Sequence, residues 1–312
     1  MAEWYGKKAV QALDRLIDIL VLVVLVFLLL LAAYAYYDTH SVHQSADKSQ
    51  FQMYKPIPQD TESFAELKAI NPDVVGWLTL YGTEIDYPLV QSKVSNDEYL
   101  SLNAKREVTA SGSLFLDYRN AADFTDFNTL IFGHHMTGGV MFGGLDAFAE
   151  QAYFDAHEYG NLFYDGTDHG LQVVAMLYVD AYDYTIFNPA ISGESNRQAY
   201  LDYIAQKALC SRQVVLTTAD HIVVMSTCST DITNARLLLI GKILDEPVPD
   251  PTPEKQKNTG TGLDMSRLDI VFRHWPGWVW VLILFFLCLL VYSFLRLLGA
   301  RRKKRGQTEE EI

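Results

Sequence analysis

Residues 221–244, HIVVMSTCSTDITNARLLLIGKIL, hold two apolar runs separated by a polar interval. The first run ends at Cys228, Ser229 to Ala235 are mostly polar, and Arg236 opens the second. Runs of this length and composition predict strands over His221–Cys228 and Arg236–Leu244. If the two pair as a hairpin, Cys228 and Arg236 lie at the same rim of the sheet. A guanidinium beside a thiol lowers the thiol pKa, or hydrogen-bonds the oxyanion formed when the thiolate attacks a carbonyl. On the hairpin alone a structural reading stays open: a buried cysteine and an arginine snorkelling at a strand end.

Further strands are predicted at Val75–Leu80 and Ile85–Gln91, joined by a turn at Tyr81-Gly82, and at Leu114–Asp117, Thr129–His134 and Leu171–Asp180. Phe64–Ile70 reads as a short helix stopped by Asn71-Pro72, and Arg197–Leu209 as an amphipathic helix between two strands. Strands with one or two peripheral helices predict a mainly β fold, a barrel or a sandwich.

Apolar residues concentrate at the two ends of the 312-residue chain. Ile19–Tyr37 and Trp275–Leu295 are uncharged and each is long enough to span a bilayer as a helix. The first exceeds the usual signal-peptide core, so an uncleaved anchor is expected. Tyr34, Tyr36, Tyr37, Trp275, Trp278 and Trp280 stand where interfacial belts form. Lys7, Lys8 and Arg15 precede the first span, and six Lys or Arg residues lie at or beyond the end of the second. The positive-inside rule then places both termini in the cytoplasm and the intervening domain outside.

The expected organisation is a cytoplasmic tail (1–18), a membrane helix (19–37), a polar stalk (38–60), a globular domain (61–244), a Pro-rich linker (245–274), a second membrane helix (275–295) and a basic tail (296–312). With the basic residues gathered in the tails and a chain net charge of −13, the external domain is strongly acidic. That excludes nucleic-acid binding through phosphates. Three cysteines exclude a disulfide-stapled scaffold. A Cys210–Cys228 bridge is the remaining structural alternative for the two external cysteines.

In TLIFGHHMTGG (129–139), His134 ends an apolar strand after a glycine, a common place for active-site residues. It suits proton transfer near physiological pH, although a satisfied loop histidine is an equal alternative. Adjacent His134 and His135 point to opposite faces of a strand, and no C-x-x-C, H-E-x-x-H or H-x-H accompanies them, so neither a metal nor a cofactor is expected.

The chain resembles class B sortases in an ordered set of motifs: the N-terminal anchor, DVVGWLTLYGTEIDYPLVQ (73–91), GSLFLDYRN (112–120), NTLIFGHHMTGGVMFGGL (128–145) and STC followed by NAR. The resemblance covers roughly 61–244, and the inserted helix around 197–209 fits class B better than class A. It implies an eight-stranded β-barrel with peripheral helices, here flanked by two transmembrane helices. It also implies a catalytic Cys228, His134 and Arg236, with Asn96, Leu100, Ser226 and Thr227 in the substrate groove and the segment after Tyr182 as its other wall. The implied activity is a cysteine transpeptidase that cleaves a C-terminal sorting signal after Thr and transfers the protein to an amine. The partners would be sorting-signal proteins and an acceptor amine, either a peptidoglycan precursor or a pilin lysine. A second span is commoner among pilus-building class C enzymes, but their Asp-Pro-aromatic lid signature is absent before the barrel. Anchoring to the wall and polymerisation of pilins both stay open. The rival from another class is a non-catalytic, membrane-tethered binding module. L,D-transpeptidase and papain-like contexts around Cys228 are missing.

Overall fold

The computed structural model describes residues 2–57, 62–227 and 235–251 and a few helical positions between 286 and 292. Cys228, most of the second predicted span, the linker beyond residue 251 and the basic tail lie outside the described residues. The chain divides into two units, Met1–His40 with Thr259–Ile312, and Ser41–Asn258.

Helix α1 (Ala2–Ser45) contains a segment, Ala9–Ser45, long and apolar enough to cross a membrane. The second unit is a closed mixed barrel. Its strands are β1 (Val74–Leu80), β2 (Asp86–Val90), β3 (Leu114–Leu116), β4 (Asn128–Gly133), β5 (Tyr159–Tyr164), β6 (Thr167–Asp180), β7 (Ala208–Ser211), β8 (Ile222–Thr227) and β9 (Ala235–Leu244). The order is β5-β1-β2-β3-β4-β8-β9-β6, and a β5–β6 pairing closes it at eight strands. β7 pairs with the distal part of β6 at Ala175–Leu177. The β2–β3 and β4–β8 pairs are parallel.

β8 is buried along all six residues because both of its faces are covered. Side chains alternate across a strand, so Val223 and Met225 enter one apolar cluster with Leu78, Leu89, Ile131 and Leu162. Ile222 and Val224 enter a second cluster with Tyr200, Leu201 and Ile204 of helix α4 (Glu194–Lys207). That two-sided cover explains why residues 222–225 read as an unbroken apolar run rather than an alternating one.

The structure moves several boundaries. Helix α4 ends at Lys207, and Ala208-Leu209, expected to close it, begin β7 because pairing with β6 buries Cys210 there. β5 and the short helix α3 (Gln151–Ala156) follow the 3-10 stretch Phe142–Ala149, in a region with no strand or helix expected from sequence. Helix α2 (Glu62–Ile70) is where the sequence put it.

The largest departure is the predicted stalk. α1 runs to Ser45, and two 3-10 turns, Lys48–Gln50 and Gln52–Tyr54, lie against the barrel with Ala46 and Phe51 in its core. Asp86 at the start of β2 holds them. It accepts from Gln52 at 2.9 Å and Lys55 at 2.8 Å, and from Trp77 and Thr79 of β1 at 2.8 Å each. Short 3-10 turns secured by polar contacts carry no helical or strand periodicity, so the segment passes for solvated chain.

Candidate active site

Strand register brings the end of β4, the end of β8 and the start of β9 to one rim. Gly133, the last residue of β4, pairs with Thr227, the last described residue of β8. His134 therefore follows one strand end and Cys228 follows the neighbouring one in sequence. Ser226 pairs with Leu238 of β9, and Arg236 lies two residues nearer the rim, opposite Val179 of β6. The hairpin expected from 221–244 is present in its paired strands, and Arg236 is half-buried at the end where β8 passes into β9.

Gly133 is required by packing. A Cβ there would overlap the Leu114 side chain and crowd the Phe142 ring. Without a side chain, β4 can turn out of the sheet directly into His134. The carbonyl of His134 then accepts from Phe142 N at 3.0 Å, which closes a loop over residues 134–142. Gly143 has no room for a Cβ against the Met136 backbone, so the loop's ends are tightly apposed.

The His134 ring is half-buried, with Nε2 2.8 Å from the carbonyl of Leu100. A carbonyl only accepts, so Nε2 carries a proton in this contact and Nδ1 is the second ring nitrogen available for exchange. Leu100, expected in the groove, thus also fixes the histidine's orientation. His135, its neighbour, pairs instead with Asp146 at 2.6 Å, which ties the loop to the following 3-10 stretch. Met141, at the loop's far end, adopts φ 53° with its side chain buried, a left-handed backbone costing on the order of 1–3 kcal/mol for a non-glycine residue.

Asn96 is held on both functions of its amide. Its Nδ2 donates to Asp117 at 3.1 Å and its Oδ1 accepts from Tyr118 N at 2.9 Å. Asp117, with no exposed side-chain surface, takes a two-pronged contact from Arg119, Nε at 2.8 Å and one terminal nitrogen at 2.7 Å. Burial opposes its ionisation, but the Arg119 and Asn96 hydrogen bonds outweigh it and hold the Asp117 carboxyl below its usual value. Arg119 also reaches the carbonyl of Phe187 at 3.4 Å, in the segment after Tyr182 that was expected to form the other wall. Asp117 and Arg119 lie inside a motif singled out from sequence, yet neither was assigned a role; a D-x-R spacing after a strand is the signal that was there to use.

Ser226 and Thr227 are 1% and 2% exposed, and the Ser226 hydroxyl donates to the Thr227 carbonyl at 3.3 Å. Their side chains shape the rim from inside. Cys210 carries a free buried thiol 3.6 Å from the Ala149 carbonyl, and burial pushes its pKa up. An unactivated thiol of that kind is a packing residue. Among the described residues no cluster of His, Cys, Asp and Glu could hold a metal ion.

No protein-family model matches the chain. Sortase B of Listeria monocytogenes is 34% identical over 185 residues, which cover 59% of this chain and 74% of that protein. The chain belongs to the class B sortases. Among solved structures, sortase B from the type II pilus of Streptococcus pneumoniae is 46% identical, with a TM-score of 0.52 over 59% of this chain and 99% of that one. A Streptococcus pyogenes class B sortase involved in pilus biogenesis is 38% identical, with a TM-score of 0.53 over 58% and 97%. As a class B sortase this protein is a cysteine transpeptidase, and its barrel is the sortase fold. The sortase carries one described apolar helix of membrane-spanning length, at its N-terminus.

Proposed function

We propose that Cys228, His134 and Arg236 perform the transpeptidation, with Asn96, Leu100, Ser226 and Thr227 around the bound sorting signal. The observation that carries this is the register at one rim, which joins the residue after β4, the strand end before Cys228 and the start of β9. The Cys228 thiolate attacks the carbonyl carbon of the threonine itself, and the oxyanion that forms is stabilised by the Arg236 guanidinium. The carbon–nitrogen bond breaks as His134 gives a proton to the leaving amine, which leaves a thioester. An incoming amine attacks that thioester, His134 takes its proton, and the thiolate departs.

The acceptor amine is a pilin lysine in our reading, so that the enzyme polymerises pilins. The two pilus sortases are 46% and 38% identical to this chain, against 34% for the Listeria enzyme. The apolar run 275–295 completes a two-pass topology with both termini cytoplasmic. Anchoring places enzyme and membrane-tethered substrate in one plane, which raises their effective concentration.

The test is incubation of the full chain, wild type and Cys228→Ala, with fluorogenic sorting-signal peptides and either a lysine-containing pilin peptide or a peptidoglycan stem peptide. Cleavage at Thr that is lost in the variant, with product joined to the lysine, is expected. Product joined only to the stem peptide would assign wall anchoring instead. Cleavage undiminished in Cys228→Ala would reject the catalytic assignment.

A further inference from the structure

The hydroxyl of Tyr87 joins two parts of the second unit that are far apart in sequence. It donates to the Ala46 carbonyl at 3.0 Å, just beyond α1, and accepts from the Met141 backbone N–H at 3.3 Å. Tyr87 is 3% exposed, and Ala46 and Met141 are equally enclosed at 2% and 3%. Met141 is the left-handed residue that closes the His134 loop, and it bridges to His135 in antiparallel fashion.

The Ala46 side of this contact is itself braced. Ser45 Oγ accepts from Thr109 Oγ1 at 2.8 Å, Phe51 lies in the core, and Lys55 pairs with Asp86, the neighbour of Tyr87. The charged groups whose fields reach the phenol are Asp47, Glu84 and Asp86. Burial, reinforced by these carboxylates, raises the Tyr87 pKa well above its usual range, so the hydroxyl keeps the proton it donates to Ala46.

We propose that Tyr87 is a positioning residue for His134, and that the seating of residues 45–55 on the barrel sets the conformation of the histidine loop through its hydroxyl. The inference rests on the assignment of His134 as the proton-transfer group partnering Cys228. Met141 holds an unfavourable backbone conformation only while its surroundings over-determine it. Its N–H is fixed by a group anchored to the N-terminal segment, not by the loop itself. Releasing that hydrogen bond lets residues 135–141 relax, and the ring of His134 shifts with them.

The test is the pH dependence of Cys228 alkylation by iodoacetamide, read by peptide mass spectrometry on the full chain in detergent micelles. Wild type, His134→Ala, Tyr87→Phe and Thr109→Val are compared, with thermal unfolding recorded for each. A partnering histidine makes the His134→Ala profile differ from wild type. Tyr87→Phe is then expected to move toward His134→Ala by about half a pH unit, because the influence of one titrating group on another falls with their separation. Turnover of a sorting-signal peptide should fall roughly tenfold with KM unchanged, as expected for a misplaced proton donor. Thr109→Val, which loosens Ser45 from outside the core, shifts the profile in the same direction by less and decides the matter if Tyr87→Phe does not fold. Wild-type profiles in both variants, with His134→Ala displaced, would overturn the coupling while leaving the catalytic assignment intact. A lower melting temperature with an unmoved profile would make Tyr87 a stability residue and overturn it equally. If His134→Ala itself matches wild type, the underlying assignment fails first.

Discussion

Asp86, largely enclosed, and Asp117, fully buried, are two carboxylates that organise different regions of one barrel. Asp86 gathers four donors, two from β1 and two from residues 52–55, and so fastens the N-terminal segment. Asp117 gathers Arg119 and Asn96 and so fixes a loop at the rim, with Arg119 reaching on to the carbonyl of Phe187. In each case burial favours the neutral acid and the donors reverse the balance, which leaves both carboxyls below their ordinary pKa. The same device serves the seating of the N-terminal segment in one region and the geometry of the proposed substrate groove in the other. What differs is the exposure of what is held: a packed segment around Asp86, and at Asp117 an arginine that is 47% exposed.

Asp86→Ala should cost the most stability. It leaves the Trp77 ring N–H and the Thr79 hydroxyl without their acceptor and Lys55 without its partner, for a loss of about 3 kcal/mol. Urea unfolding followed by tryptophan fluorescence would measure it, and the Michaelis constant for a sorting-signal peptide should change little. Asp117→Ala should cost less, about 2 kcal/mol, because Arg119 can return to water. Its larger effect should be a raised Michaelis constant, since Asn96 loses its anchor. Equal Michaelis constants in the two variants would erase the division of labour.

The pH dependence sharpens the same comparison. A carboxylate whose folded pKa is depressed contributes stability that is fully present above its unfolded value of about 3.9 and is lost as pH falls through the folded value. The destabilisation caused by Asp86→Asn or Asp117→Asn should therefore be greatest above about pH 5 and shrink below pH 4. Denaturant titrations of both variants and wild type between those limits would check the sign. A gap that widened toward acid would contradict the assignment of both as ionised hubs. The smallest effect is expected at Asp146→Asn, which removes the solvent-accessible partner of His135. Exposed pairs contribute under about 1 kcal/mol, so melting should barely move. Hydrogen exchange in residues 135–141 should nevertheless rise, and unchanged exchange would show that the pair does not brace the loop.

Local pattern carried much of the fold. The runs at 74–80, 86–90, 128–133, 222–227 and 235–244 are apolar enough, and sufficiently bounded by turns, to be strands without reference to one another. Tyr159–Tyr164 escaped because Gly160 and Asn161 break the pattern. A Cβ at Gly160 would meet the Thr79 carbonyl, so the glycine reflects close approach to β1 rather than a turn. Residues 46–55 escaped because two apolar side chains and a few polar contacts suffice to seat them.

The sequence by itself determined which residue types are available for chemistry, the family to which they belong, and an apolar N-terminal run long enough to cross a membrane. Those properties reside in composition, short motifs and local periodicity, all of which survive without a third dimension. Tertiary structure alone decided that His134 follows the strand end paired with Thr227, that Asn96 is clamped by Asp117, and that Tyr87 links Ala46 to Met141. Each joins segments far apart along the chain through strand register or one buried hydrogen bond, and such pairings are selected by packing of the whole barrel rather than by any local preference.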